Sequence, residues 1–262
     1  MQKIAIIGAG KVGKSLALAC QQAALSVQIY ARNPPTENIF YTQTGLIIYP
    51  LAEISLDAHL YLICVADQAI SQIAAQLSAL NLPKVAIIAH TAGGQNLQKL
   101  SNLFPNAGVF YPLQTFSEGR RVDFQQLPFC INGTNRLVIN YLRDLAQLLG
   151  KSENVHIVSE EARARLHVGA VFVNNFSNFL FATAQNFCQA ERVDFHLLLP
   201  LLRETVDKIQ ANPLNISELQ TGAAIRGDHD TIDKHKALLT KYPSWANLYQ
   251  FLTEQIVAFY QK

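Results

Sequence analysis

A doubly wound α/β sheet followed by an all-helical segment is the fold class this sequence predicts, on three observations. Over residues 3–158 short β-branched runs alternate with amphipathic stretches; after Ser159 the strand signals stop; and a glycine loop, Gly8-Ala9-Gly10-Lys11-Val12-Gly13, lies between an apolar run and a helical one. Such alternation winds a mostly parallel sheet, because parallel neighbours need a crossover long enough to hold a helix.

The strand windows are Lys3–Ile7, Ser26–Tyr30, Leu46–Tyr49, Leu60–Val65, Val85–Ala89, Gly108–Tyr111, Phe129–Asn132 and Val155–Val158. Helices are expected at Val12–Ala24, Gln68–Leu80, Gln95–Leu103 and Arg136–Leu149, the length that right-handed crossovers require. Residues 160–190 read as one long helix, apolar nearly all round at Val168, Val171, Phe172, Val173, Phe176, Phe179, Leu180 and Phe181. That pattern suits the central helix of a helical domain or a subunit interface. Further helices are expected at Phe195–Gln210, Thr231–Leu239 and Trp245–Tyr260, with a glycine-containing loop, Thr221–Asp228, between the first two. The domains expected are residues 1–158 and 159–262.

With 262 residues, 50% of them hydrophobic and 15% charged, the chain has enough apolar material for two folded domains and is too apolar to be disordered. A formal charge of +2 is too small to recruit nucleic acid. No apolar run has the ~20 residues of a membrane span, and Met1-Gln2-Lys3-Ile4 leads straight into a strand without a signal-peptide layout. Cys20, Cys64, Cys130 and Cys188 are scattered singly among apolar neighbours, which reads as reduced core thiols in a cytoplasmic protein, with no metal pair.

The glycine loop carries the first chemistry. Gly8 permits a tight turn, Gly10 lets backbone amides approach a pyrophosphate, and Gly13 lets the helix pack on the strand; Ala9, Lys11 and Val12 complete the turn. The phosphates then meet a helix N-terminus. This is the dinucleotide-binding Rossmann pattern. Where an NAD site ends its second strand with an acidic residue, this chain has Arg32-Asn33, and a guanidinium there matches a 2′-phosphate, so NADP(H) is the cofactor expected. The alternative is a surface arginine. Val65, Ala66 and Asp67 end the fourth strand beside the cofactor, with Asp67 also a candidate N-cap. His90 and Thr91 end the next strand and are candidates for the nicotinamide end, although an ordinary turn explains the same residue types.

With these segments in order, the chain resembles the superfamily of ketopantoate reductase, pyrroline-5-carboxylate reductase and 6-phosphogluconate dehydrogenase. Tyr111-Pro112-Leu113-Gln114-Thr115-Phe116-Ser117, His167 followed by Asn175, Thr221-Gly222, Arg226-Gly227-Asp228 and His235 are similar to one group within it. That group comprises oxidoreductases with a Rossmann-like domain joined to a helical domain of unknown function, similar to deazaflavin-dependent NADP oxidoreductases. The resemblance spans nearly the whole chain. It implies reductase chemistry and a C-terminal domain of the 6-phosphogluconate dehydrogenase type, and it names no substrate. Ala92 departs from the group, which often has serine there, so a hydroxyl ligand is missing.

Hydride transfer belongs to the nicotinamide, so the protein must orient a carbonyl or imine and move a proton. The related reductases commonly use a lysine and an asparagine on the long helix. No lysine stands there, and His167, which titrates near neutral pH, is the natural substitute. Asn174, seven residues on, shares its face by the helical period, whereas the resemblance favours Asn175. The alternative for all three is a structural polar group that stitches helices together. Arg226 suits a carboxylate or phosphate of the substrate, or an internal bond to Asp228; His235 braces that loop, and Thr115 and Gln114 are further substrate neighbours.

The leading reading is an NADP(H)-dependent reductase of a small carbonyl or imine compound, a 2-oxo acid in ketopantoate-like fashion, working as a homodimer through the C-terminal helices. A non-catalytic NADP(H)-binding or sensing protein is the alternative. A methyltransferase on a Rossmann sheet is disfavoured by Arg32.

Overall fold

Alternation along each strand decides how the sheet is covered. The computed structural model describes residues 3–35 and 39–260. Its first part runs β1 (Lys3–Ile7), α1 (Lys11–Gln22), β2 (Ser26–Ala31), α2 (Ile39–Thr44), β3 (Ile48–Pro50), β4 (Leu60–Ile63), α3 (Ile70–Ser78) and β5 (Ile87–His90). It continues through α4 (Gln98–Ser101), β6 (Ala107–Pro112), β7 (Phe129–Gly133), α5 (Arg136–Leu149), β8 (Val155–Ile157) and α6 (Glu160–Ala170). Ile4 and Ile6 of β1 join a core with Leu16, Cys20 and, from α5, Leu142 and Leu145, while Ala5 and Ile7 join a second core with Ile70, Ile73 and Leu77. Burying both faces is what makes these strands read as near-continuous apolar runs.

The eight strands lie in the order β3-β2-β1-β4-β5-β6-β7-β8. Pairing is parallel except between β6 and β7, where Tyr111 opposes Cys130. No helical crossover joins those two strands, so the chain returns antiparallel. The order reverses between β1 and β4, which opens a crevice at the carboxyl ends of those strands.

All eight expected strands form, with ends moved by a residue or two, and α5 has the expected bounds. Three segments before Glu191 differ. The helix expected at Gln95–Leu103 forms only over Gln98–Ser101, because the Gln95 carbonyl is taken by Arg163 and Asn96 Oδ1 accepts from Gln98 N at the start of the turn. Helix α2 was not expected; in it Thr44 Oγ1 donates back to the Phe40 carbonyl at 2.5 Å. The expected helix over 160–190 carries a π-helical turn, Val171–Phe176, between α6 and α7 (Ser177–Ala190).

Packing divides the chain into two compact units, one ending at Asn174 and one beginning at Asn175. The strand pattern ends at 158, and the difference is α6, which Arg163 ties to the loop after β5. The second unit continues with α8 (Leu199–Ala211), α9 (Ala223–Arg226), α10 (His229–Leu239) and α11 (Pro243–Tyr260). Helix α9 occupies the stretch read as a loop: Gly222 enters it at φ 113° and Gly227 closes it in the left-handed conformation. Phe187 meets both Tyr242 and Trp245 edge to face, and Tyr242 Oη donates to Glu191 at 2.8 Å. Among its described residues only Cys188, Ile232 and Leu239 are buried. Among the described residues no helix is long and apolar enough to cross a membrane.

Candidate functional site

The carboxyl ends of the parallel strands bring the candidate residues to one edge of the sheet. Gly8–Gly13 follow β1, Arg32 and Asn33 follow β2, Val65–Asp67 follow β4, His90 ends β5 and Thr115 follows β6. Gly8 turns at φ 116°, and a Cβ on it would stand 2.3 Å from the Cys64 carbonyl oxygen. A Cβ on Gly13 would stand 2.0 Å from the Gly8 oxygen, whereas one on Gly10 would meet nothing within 4 Å. Gly8 and Gly13 are therefore fixed by packing, and Gly10 leaves an open approach to the amino end of α1.

No side chain caps that helix end and no acidic residue occupies its first turn. Its amide groups and positive dipole end remain available to a phosphate, so the loop fits a dinucleotide. Arg32 and Asn33 are exposed at the end of β2.

Asp67 is exposed in a short 3-10 turn and does not cap α3, contrary to the capping role considered above; its Oδ2 accepts from Gln95 Nε2 at 2.7 Å. His90 is fully enclosed, and its Nδ1 accepts from the Ala92 amide at 3.2 Å, so the ring supports the turn from inside. Burial, reinforced by the positive charge of Arg163, pushes the His90 imidazole down to about 4. Thr91 is half-buried, and its amide donates to the Ile63 carbonyl at 3.2 Å.

Four residues outside the expected set build the region around His167. Arg163, 2% exposed, donates from Nε to the Gly93 carbonyl at 3.1 Å and from Nη2 to the Gln95 carbonyl. His167 is one helical turn further along the same face of α6. Its ring rests on the Gly93-Gly94 backbone: a Cβ on Gly93 would come within 2.8 Å of His167 Nδ1 and 2.6 Å of Tyr111 Cζ, and one on Gly94 within 3.2 Å of His167 Cδ2. A glycine pair after a strand is the sequence signal of such a close approach. Arg163 offered none, since Arg165 stands in the same kind of sequence and is exposed.

Asn174 ends the first unit and is exposed, and π-helical bonding across Val171–Phe176 breaks the 3.6-residue count that favoured it. In the second unit Asn175 is exposed, Arg226 is the exposed last residue of α9, and His235 Nδ1 bonds Tyr249 Oη at 2.8 Å between α10 and α11. Asp228 caps α10 by accepting from the Thr231 amide at 3.1 Å and the Thr231 hydroxyl at 2.8 Å, which is its role in place of an ion pair with Arg226.

Residues 3–93 match the family described as NADP oxidoreductase, coenzyme F420-dependent, and residues 127–256 match a domain of unknown function, DUF2520. A presumed NADP oxidoreductase from Bacteroides fragilis is 31% identical over 98% of both chains, with a TM-score of 0.89. The chain belongs to this NADP oxidoreductase family. NADP(H) is the cofactor of that family, and the glycine loop fits it. A Thermotoga maritima protein shares the fold at 17% identity, covering 99% of this chain and 100% of that one, TM-score 0.70. So does an imine reductase from Myxococcus stipitatus in complex with NADP+, at 13% identity over 99% and 100% of the two chains, TM-score 0.66. No curated protein matches the chain.

Two outcomes are expected from this geometry. Gly13→Ala should cost about 3 kcal/mol in urea unfolding through its backbone clash, while Gly10→Ala should stay within about 1 kcal/mol of wild type. His90 has a lowered folded pKa, so its contribution is full above its ordinary 6.5 and is lost as the pH falls toward about 4. The stability advantage of wild type over His90→Asn should therefore shrink by about 2 kcal/mol between pH 7 and pH 5. A pH-independent difference would show that the ring is not held neutral.

Proposed function

We propose that this oxidoreductase uses NADPH to reduce a small carbonyl or imine compound, a 2-oxo acid of the ketopantoate kind being the first to try, with His167 supplying the proton. The observation that carries this reading is the seat of His167. A half-buried imidazole stands against a bare glycine pair at the carboxyl end of β5, on the sheet edge that holds the dinucleotide loop. Bound NADPH supplies the hydride. An imidazole that is held in place and still accessible is what proton delivery needs.

In this reading Gly8, Ala9, Gly10, Lys11, Val12 and Gly13 hold the pyrophosphate, and Arg32 with Asn33 selects the 2′-phosphate. Val65, Ala66, Asp67 and Thr91 run beside the cofactor, with His90 supporting the turn behind them. Asn174 or Asn175 bonds the substrate or the carboxamide, Arg226 takes a substrate carboxylate, and Thr115 and His235 complete the substrate contacts. The cofactor belongs to residues 1–158, and the helices of residues 159–262 serve substrate and dimer. The four free, buried cysteines fit a reducing, cytoplasmic setting.

The exposed apolar side chains support a homodimer through these helices. Val173 is 78% exposed, Leu197 72% and Leu214 92%, with Phe179, Phe181, Leu201 and Phe251 also open, far more apolar surface than a helical unit leaves in water.

Fluorescence titration tests the cofactor reading: Arg32→Ala should weaken NADPH binding by about 1–2 kcal/mol, a loss of about 5- to 30-fold, and leave NADH nearly unchanged. NADPH oxidation should then appear with a member of a panel of 2-oxo acids and cyclic imines, and vanish in His167→Ala. A wild-type chain that binds no NADPH sinks the proposal. In sedimentation velocity the chain should run at twice its own mass, and Val173→Asp with Phe181→Asp should yield monomer; a wild-type monomer would refute the dimer.

A further inference from the structure

We infer that Tyr111 is a positioning residue that pairs with Nδ1 of His167 and so reserves Nε2 as the nitrogen that carries the proton to substrate. This inference rests on His167 being the proton donor. Tyr111 reaches the spot from the carboxyl end of β6, and its Oη lies 3.4 Å from His167 Nδ1 with the rings edge to face, centroids 6.1 Å apart and planes at 72°. The separation is long for a hydrogen bond, as such pairs often are before substrate arrives.

Three constraints hold the two rings together. Gly93 leaves no room to spare beneath them, since a Cβ there would overlap both. Arg163 fixes that glycine to α6 through its carbonyl, so the floor and the helix move as one. Antiparallel pairing with Cys130, followed by Pro112, fixes the backbone that carries Tyr111. Burial holds the phenol above its ordinary range, so Tyr111 is an uncharged hydroxyl that can accept from an imidazolium Nδ1–H or donate to a neutral Nδ1.

The step balances on that basis. Hydride adds to the carbon of the C=O or C=N group; the Nε2–H bond of the imidazolium breaks, its proton goes to the oxygen or nitrogen, and the electron pair stays on the ring. Neutral His167, still paired to Tyr111 through Nδ1, regains its proton at Nε2 from water. Without the phenol either ring nitrogen could carry the proton.

Long-range 1H–15N spectra of the histidine rings test this on the full chain. Tyr111→Phe keeps the aromatic packing, and as the two neutral tautomers mix it should shift the His167 Nδ1 resonance, with Nε2 moving in the opposite direction. Wild-type chain grown with 3-fluorotyrosine, whose phenol is more acidic, should shift the same nitrogen and does not depend on how the variant folds. A shift confined to Nε2, or none at either nitrogen with 3-fluorotyrosine, overturns the pairing. NADPH titration of the same samples separates the two readings: a chain that binds NADPH with Nδ1 unmoved loses only the Tyr111 assignment, and a wild-type chain that binds no NADPH loses both.

Discussion

The guanidinium of Arg163 is the interaction on which the arrangement around the candidate site depends. Its bonds to the Gly93 and Gln95 carbonyls give two otherwise unpaired acceptors of a strand-to-helix loop a charged donor, and they join that loop to α6. Each end then serves a different part of the crevice. Gly93 forms the floor under His167, and the Gln95 side chain reaches Asp67 beside the dinucleotide loop. A single buried cation thus connects the last turn before α3 with the helix that carries His167.

Such a placement is costly, since a charge taken out of water loses several kcal/mol of solvation and is recovered only by well-made bonds. Among the described residues Arg163 has no carboxylate within ion-pair distance, and its Nη1 is buried without a hydrogen-bond partner. The positive charge therefore acts on its surroundings. It adds to burial in holding His90 neutral beneath the same loop, where the ring can keep accepting the Ala92 amide.

Much of this was legible in the sequence, and what was not has a physical reason. Strand periodicity and the glycine loop gave the sheet, because residues 4–7 and 60–63 must be apolar on both faces and Gly8 and Gly13 sit where no side chain fits. His167 is legible as the imidazole on the long helix, where the resemblance leads one to expect a lysine. Arg163 is not, since burial of an arginine is decided by carbonyls some seventy residues away in the chain, and Arg165 two positions on is read identically. For Asp67 the sequence leaves open a cofactor neighbour or an N-cap, and for His90 the nicotinamide end or an ordinary turn; Asp67 reaches Gln95 and His90 turns inward to Ala92, choices made by the loop's own hydrogen bonds. The π-helical turn had no signature either, because a slip from i→i+4 to i→i+5 bonding changes no residue type.

That turn also explains why the histidine stands where it does along the helix. Helix α6 is pinned at its start by Ser159, whose Oγ accepts from the Ala162 amide at 3.2 Å, by Glu160 and Glu161 in its first turn, and then by Arg163. From Val171 the bonding widens and the side chains open outward. His167 lies within the last α-helical turn before the change. The proton donor proposed above belongs on the pinned side of that boundary, because displacements of about 1 Å are enough to cost about two orders of magnitude in rate. Asn174 and Asn175 fall beyond it, within the π-helical turn.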